Sequence, residues 1–358
     1  MKSDSFHGGD MKSYQLTGWQ KEPELREIPV PEPGPGQVLI KVGGAGACHS
    51  DLHLMDWPEG TLPYQLPFTL GHENAGWIEK LGPGVEGFST GDPVAVYGPW
   101  GCGHCYNCHQ GIEVYCENGA TVHGGAMGGG LGLDGGMAEY MNVPSSRFLI
   151  PLAAIPPKEA APITDAGLTP YHAIKRSLPL LNSMASAVVV GVGGLGHMAI
   201  QILRALTSVR IIAMDISAEK LKLAAEIGAD EVMLSNGEAP QKILELTRGQ
   251  GAELVLDMVG SDLTMALSSK MTKKLGHLTI VGAAGGSLPF SMFSLPFECA
   301  VSAPMWGSIP ELMELIVLAE RGKVKSHNVY YSLERVGDAY AAMRAGTLNG
   351  RAVIVPNA

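Results

Sequence analysis

The sequence predicts an α/β chain of two domains, a small β-rich barrel followed by a doubly wound parallel sheet. Three observations carry that reading. The chain has 358 residues, 46% of them hydrophobic, which is more than a single core ordinarily organises. Its character changes near residue 165: short strand patterns bounded by Gly and Pro give way to alternating strand and helix patterns. Within the second region, Gly191-Val192-Gly193-Gly194-Leu195-Gly196 lies between a buried strand and a helix, and the next strand ends at Asp215. The expected division is 1–165 with 308–358 for the first domain, and 166–307 for the second.

In the first domain, a strand over 38–42 follows the turn signal Pro33-Gly34-Pro35-Gly36. A second strand over 76–81 ends at Gly82-Pro83-Gly84, and a third over 94–97 is entered through Gly91-Asp92-Pro93. A glycine-rich loop over 124–136 either borders a pocket or is mobile; both readings stand. The first ten residues are polar and read as a loose extension, with the folded part starting at Met11. In the second domain a strand is expected over 187–190, a helix over 197–206 and a strand over 211–214. Helices over 218–227 and 262–273 alternate with strands over 253–258 and 277–281. A helix over 310–321 follows, and an apolar strand over 351–356 returns to the first domain's sheet.

Composition excludes several function classes. The net charge is −10 and no run of Lys or Arg exceeds two, which argues against a nucleic-acid partner. No apolar run approaches the length that spans a bilayer, and the N-terminus lacks a signal peptide's apolar core. The expected compartment is the cytoplasm, where clustered cysteines favour metal over disulfides.

Two stretches carry metal-ligand chemistry. Cys48-His49-Ser50-Asp51-Leu52-His53 and Gly71-His72-Glu73 offer a thiolate and an imidazole on neighbouring loops, half of a zinc site. Catalytic zinc keeps a position open, and Ser50 would place a hydroxyl beside it to take a proton. Alone the pattern is weak, because a cysteine is most often a small buried hydrophobe. The second stretch holds Cys102, Cys105, Cys108 and Cys116, four thiols within fifteen positions. That spacing closes a tetrahedral structural zinc site; disulfides or an iron–sulfur cluster are the alternatives. In the glycine fingerprint, Gly191, Gly193, Gly194, Leu195 and Gly196 would seat a pyrophosphate on helix N–H groups, with Asp215 accepting from a ribose 2′-hydroxyl.

With CHSDLH, GHE, GCGHCYNC plus Cys116, TDAGLT and GVGGLG in this order, the chain resembles the zinc-dependent medium-chain alcohol dehydrogenases from about residue 11 to 356. The resemblance implies a GroES-like catalytic domain beside a Rossmann domain, with NAD and two zinc ions, one catalytic and one structural. It implies hydride exchange between NAD(H) and an alcohol, by expectation a secondary one, or its ketone or aldehyde. Cys48 and His72 match the family's catalytic ligands. The third is commonly cysteine and here is Asp165, as in some bacterial secondary-alcohol members; a helix N-cap is the other reading of that residue. Glu73 resembles the acid behind the metal, Ser50 the hydroxyl on the substrate oxygen and His53 the outer base of the relay. His49 and Arg351 resemble pyrophosphate contacts, Lys220 a second ribose contact, and Thr169 with Val281, Gly282 and Ala283 nicotinamide-side contacts. Trp57 and Trp306 resemble pocket walls, or are ordinary core aromatics. A homodimer or homotetramer is implied, and the apolar stretch over 297–306 is a plausible pairing edge. A zinc-free quinone reductase on the same scaffold is disfavoured by Cys48, His72 and the four-cysteine lobe. A nucleotide-sensing or zinc-ribbon binding protein without turnover is disfavoured by Ser50 and His53.

Overall fold

Residues 9–357 are described in a computed structural model of the chain. The expected loose extension falls mostly outside them; Asp10 already belongs to a strand. The chain divides into two compact units. One runs to Asp165 and takes in Ser308–Ile316 and the chain from Asn328 onward; the other comprises Ala166–Gly307 and Val317–His327. The sequence reading grouped 317–327 with the first domain. This segment sits in the second unit because Gln201 bonds both the N–H and the carbonyl of Lys325, and His327 donates its backbone N–H to His197.

The first unit is built on β1 (Asp10–Leu16), β2 (Glu24–Pro29), β3 (Val38–Gly46), β4 (Phe68–Thr69), β5 (Glu73–Leu81) and β6 (Pro93–Val96). Short pieces follow: β7 (Gly128–Gly129), β8 (Gly132–Leu133), β9 (Tyr140–Val143) and β10 (Leu149–Pro151). β1 sits between β2 and β4 in a three-stranded sheet. A larger sheet runs β10-β6-β5-β3 and continues into two strands from the far end of the chain, β18 (Arg351–Ile354) and β17 (Asn328–Tyr331). The C-terminal strand therefore returns to this sheet as expected, with Val353 opposite Gly46. β3 and β5 form the spine, and glycine lets them approach closely: a Cβ on Gly76 would lie 2.2 Å from the Lys41 carbonyl oxygen.

The second unit is an all-parallel sheet of β11 (Ser186–Val190), β12 (Arg210–Asp215), β13 (Glu231–Leu234), β14 (Ala252–Asp257), β15 (Thr272–Ile280) and β16 (Ala300–Ser302). Their spatial order is β13-β12-β11-β14-β15-β16, with the reversal between β11 and β14 that marks a doubly wound sheet. β11 is buried throughout, so its run of valines reads as continuous rather than alternating. Burial of each such valine contributes about 1.5–3 kcal/mol relative to exposure. The helix Gly196–Leu206 buries the face that carries Met198, Ala199, Ile202 and Leu203. No helix among the described residues is long and apolar enough to cross a membrane.

Candidate active site and metal centres

Cys48 sits at the N-cap of the short helix His49–Asp56, in extended conformation. Asp51, three residues on, reaches back so that its Oδ2 accepts the Cys48 N–H at 2.9 Å. This capping box fixes where the thiol leaves the chain. Ser50 Oγ lies 3.6 Å from the Cys48 sulfur, which puts the predicted hydroxyl beside the thiol. His53 follows one turn on, its ring stacked on Trp57 with centroids 5.9 Å apart. His49 is exposed on the helix's first turn.

His72 and Glu73 lie where the chain enters β5. The glycine-rich loop, whose role the sequence left open, forms the seat beneath them. Gly136 donates to the Gly71 carbonyl at 2.9 Å and Met137 to the Leu70 carbonyl at 2.9 Å. A Cβ on Gly130 would come within 2.4 Å of the Gly71 carbonyl, so only glycine allows the two backbones this close. The His72 ring is buried between two carboxylates: Nδ1 is 3.1 Å from Asp51 Oδ1, and Nε2 is 3.4 Å from Asp165 Oδ2. Asp165 does not cap the following helix Leu168–Lys175, whose N-cap is Gly167. The N-cap reading of Asp165 therefore drops out, and its carboxylate turns toward His72.

Donor atoms of Cys48, His72, Glu73 and Asp165 all lie within 4.8 Å of one another. Glu73 is fully buried and makes a two-pronged pair with Arg351, whose Nε is 2.9 Å from Oε2. Arg351, expected to reach a pyrophosphate, is thus engaged behind the ligand cluster. Burial resists ionisation of Cys48, but the Arg351 charge and the His72 contact bring its thiol down to about 7. Burial likewise opposes a charge on His72, yet Asp51 and Asp165 outweigh it and hold the imidazole well above its usual range. The two carboxylates that flank the ring give this buried site a negative character that suits a cation. One thiol, one imidazole and one carboxylate are an N/O/S set suited to zinc, and Asp51 supplies the carboxylate behind the histidine that such sites use. Asp51 was not predicted as a site residue, although Cys48-x-x-Asp51 carries the spacing of a capping box.

The four remaining clustered cysteines form a separate lobe and are all free thiols. Cys102 and Cys108 sulfurs are 4.0 Å apart, and Cys105 and Cys116 sulfurs 3.9 Å. Four sulfurs about 2.3 Å from a central zinc would be about 3.8 Å from each other, so the cage fits that ion. Cys102 is held down to about 6, first by the His104 backbone N–H, with the Asn118 amide adding to it. Arg147 also braces the lobe. It bonds the buried Glu113 at 2.6 Å and the Gly101 carbonyl at 2.9 Å, and lies over the Phe148 ring.

In the second unit the fingerprint has the geometry a pyrophosphate needs. A Cβ on Gly196 would sit 1.8 Å from the Gly191 oxygen, whereas one on Gly193 would meet nothing within 4 Å. The close approach of Gly191 and Gly196 locks the turn, and Gly193 leaves open room. His197, also not predicted, contacts the Gly193 carbonyl through Nδ1 at 2.9 Å and stiffens that turn. Asp215 accepts from the Val192 N–H at 2.7 Å and from the Ser217 N–H at 2.9 Å. Its buried carboxylate is thereby fixed at the end of β12. Gly194 and Leu195 complete the turn ahead of the helix, and Lys220 is half-buried on the next helix, Ala218–Glu226. Val281, Gly282 and Ala283 follow β15, where the Val281 and Gly282 N–H groups donate to the Asp257 carbonyl. Thr169 is buried on its helix. Of the two expected pocket walls, Trp306 is buried with φ of +54°, and Trp57 is 38% exposed.

Comparisons with known proteins identify the family. Residues 34–154 match the alcohol dehydrogenase GroES-like domain, and residues 194–320 match the zinc-binding dehydrogenase domain. An NAD-dependent alcohol dehydrogenase of Sulfurisphaera tokodaii is 36% identical over 97% of this chain and the whole of its own. The chain belongs to the zinc-dependent medium-chain alcohol dehydrogenase family. The crystal structure of the alcohol dehydrogenase from Aeropyrum pernix superposes with a TM-score of 0.88 at 37% identity, covering 96% of this chain and all of that one. A D-arabinose 1-dehydrogenase (NADP(+)) of Saccharolobus solfataricus is 34% identical over 96% of this chain and 97% of its own. Family membership thus leaves the choice between NAD and NADP to residues of the individual chain.

Proposed function

We propose that this chain is an NAD-dependent alcohol dehydrogenase that interconverts alcohols, secondary ones by preference, with their ketones or aldehydes. The observation that carries the reading is the convergence of Cys48, His72 and Asp165 donor atoms beside Ser50. Bound at those three residues, zinc would act as a Lewis acid on the alcohol oxygen, and NAD bound at the fingerprint would take up the hydride. Ser50 would accept the hydroxyl proton, and His53, one turn along the same helix, would carry it outward. Asp51 holds the His72 ring so that Nε2 is the nitrogen offered to the metal. Glu73, paired with Arg351, keeps a second carboxylate in reserve beside the cluster. The lobe of Cys102, Cys105, Cys108 and Cys116 would hold a second, structural zinc and take no part in the chemistry.

Cofactor choice rests on Asp215. A fixed carboxylate at that position accepts from a free ribose 2′-hydroxyl and repels a 2′-phosphate. Ile216 next to it is exposed, and neither it nor Ser217 and Ala218 carries a positive charge to offset the repulsion. NAD should be favoured over NADP by about a hundredfold in specificity constant, the equivalent of about 2.7 kcal/mol. Asp215→Ser with Ile216→Arg should narrow or reverse the ratio; equal rates with both cofactors in the unmodified protein would remove Asp215 from the ribose.

The chain would work as a homodimer or homotetramer in a reducing cytoplasm, in keeping with its free thiols. β16 is an edge strand, and Phe290, Met292, Phe293 and Phe297 nearby are all more than half exposed, an apolar surface that supports self-association. Sedimentation giving a stable, active monomer of 37.7 kDa would contradict this. The activity itself is tested with a panel of primary and secondary alcohols and NAD. NADH absorbance should appear, fastest with secondary alcohols, and should vanish after treatment with a strong chelator. Turnover that survives complete removal of metal would refute the proposal.

A further inference from the structure

The helix that carries Cys48, Ser50 and His53 is held from behind by a helix nearly three hundred positions away. We infer that Tyr340, on the C-terminal helix Val336–Arg344, positions the metal-binding groups by anchoring Asp51. Its hydroxyl donates to Asp51 Oδ2 at 3.1 Å, and both residues are buried. That same oxygen accepts the Cys48 N–H, while the other oxygen of Asp51 faces His72. One carboxylate therefore sets two of the three ligands, and Tyr340 is what sets the carboxylate from outside the ligand loops. Tyr340 also touches the His72 side of the site. Its oxygen is 3.2 Å from Met137 Sδ, and the Met137 side chain lies against Gly71, the residue before His72.

A second contact from the same helix separates clamping from positioning. Arg344, one turn on, makes a bidentate pair with Asp56 at the far end of the ligand helix. That pair is exposed, with side chains 42% and 56% accessible, and leaves Asp51 untouched. Exposed ion pairs contribute little. Loss of the Tyr340 hydroxyl would leave Asp51 Oδ2 with the Cys48 N–H as its remaining donor and free the carboxylate to rotate. The imidazole and the thiol would then relax out of register with each other. Tyr340 thus acts through Asp51 and contacts neither substrate nor metal.

The proposal rests on the zinc reading of Cys48, His72 and Asp165, and the test separates the two. Zinc affinity at this site is measured by competition with a chelator of known affinity, and the visible spectrum is recorded with cobalt(II) in its place. Tyr340→Phe keeps the ring and its packing; it should weaken zinc binding about tenfold, the low end for residues behind the ligands, and shift the cobalt bands. Asp51→Asn should give the same spectral change with a larger loss of affinity. Arg344→Ala should leave both readings within twofold of wild type. If Cys48→Ala loses the metal but Tyr340→Phe keeps wild-type affinity and spectrum, Tyr340 has no positioning role. If Cys48→Ala retains the metal, the zinc reading falls and the Tyr340 proposal falls with it.

Discussion

The two sulfur-bearing clusters of the first unit are built in opposite ways. Cys102, Cys105, Cys108 and Cys116 come from one stretch of fifteen residues, and their sulfurs face each other across a loop with little core of its own. Cys48, His72 and Asp165 come from three segments spread over more than a hundred positions, and they meet because β3, β5 and the glycine-rich seat bring them together. The local cluster offers four thiols and leaves no position free. The assembled cluster offers three different donors beside a hydroxyl, with Asp51, Arg351 and Tyr340 arranged behind it. A ligand set that closes on itself can staple a loop; one that depends on the whole fold can hold a position open and place a proton acceptor next to it.

Breaking the assembled cluster should cost the most activity. Cys48→Ala should lower kcat/KM by about a thousandfold or more, since Lewis-acid stabilisation amounts to several kcal/mol and each 1.36 kcal/mol is a factor of ten. Its melting midpoint should stay close to wild type. Full activity in this variant, measured as NADH production, would dissolve the distinction between the clusters. Asp165→Asn should cost about a hundredfold in zinc affinity with a matching fall in turnover, whereas Asp165→Cys should retain part of both. An Asn variant with normal zinc and normal turnover would move the third ligand to Glu73.

The local cluster should respond in the other currency. Cys105→Ala should lower the melting midpoint by about 5 °C or more, at roughly 2–4 °C per kcal/mol for a domain of this size. The folded fraction should keep near-normal kcat. The Arg147 contacts with Glu113 and the Gly101 carbonyl do not involve the thiols, so the variant should remain foldable at low temperature. A selective loss of kcat at unchanged midpoint would give the lobe a role in chemistry that this account denies it.

How far each cluster could be read from sequence follows from the same contrast. The cysteine lobe and the glycine fingerprint are contiguous, so spacing alone exposes them. Cys48 and His72 carry recognisable neighbours, but nothing local shows that they converge, and the matching role of Asp165 came from the family pattern. The helix-cap alternative for Asp165 fell because the cap belongs to Gly167, a matter of backbone geometry two residues away. Residues 317–327 group with the second unit through partners, Gln201 and His197, that lie more than a hundred positions upstream and leave no local signal. Tyr340 has no sequence signal at all: its importance is one hydroxyl contact across nearly the whole chain. The glycine-rich loop could be read as permissive backbone, but not as the seat of His72, since that depends on a close approach between Gly130 and Gly71.

The most direct test of the central claim is metal content followed against activity during graded chelation of the native protein. Two zinc ions per chain should be present at the start. A three-ligand site would keep a position for a chelator and should empty first, with activity falling in proportion to the first zinc lost and reaching zero at one zinc per chain. The second zinc should stay until the protein unfolds. Activity that persists at one zinc per chain, or a first zinc whose removal lowers the melting midpoint while leaving turnover intact, would contradict the division of roles between the two clusters.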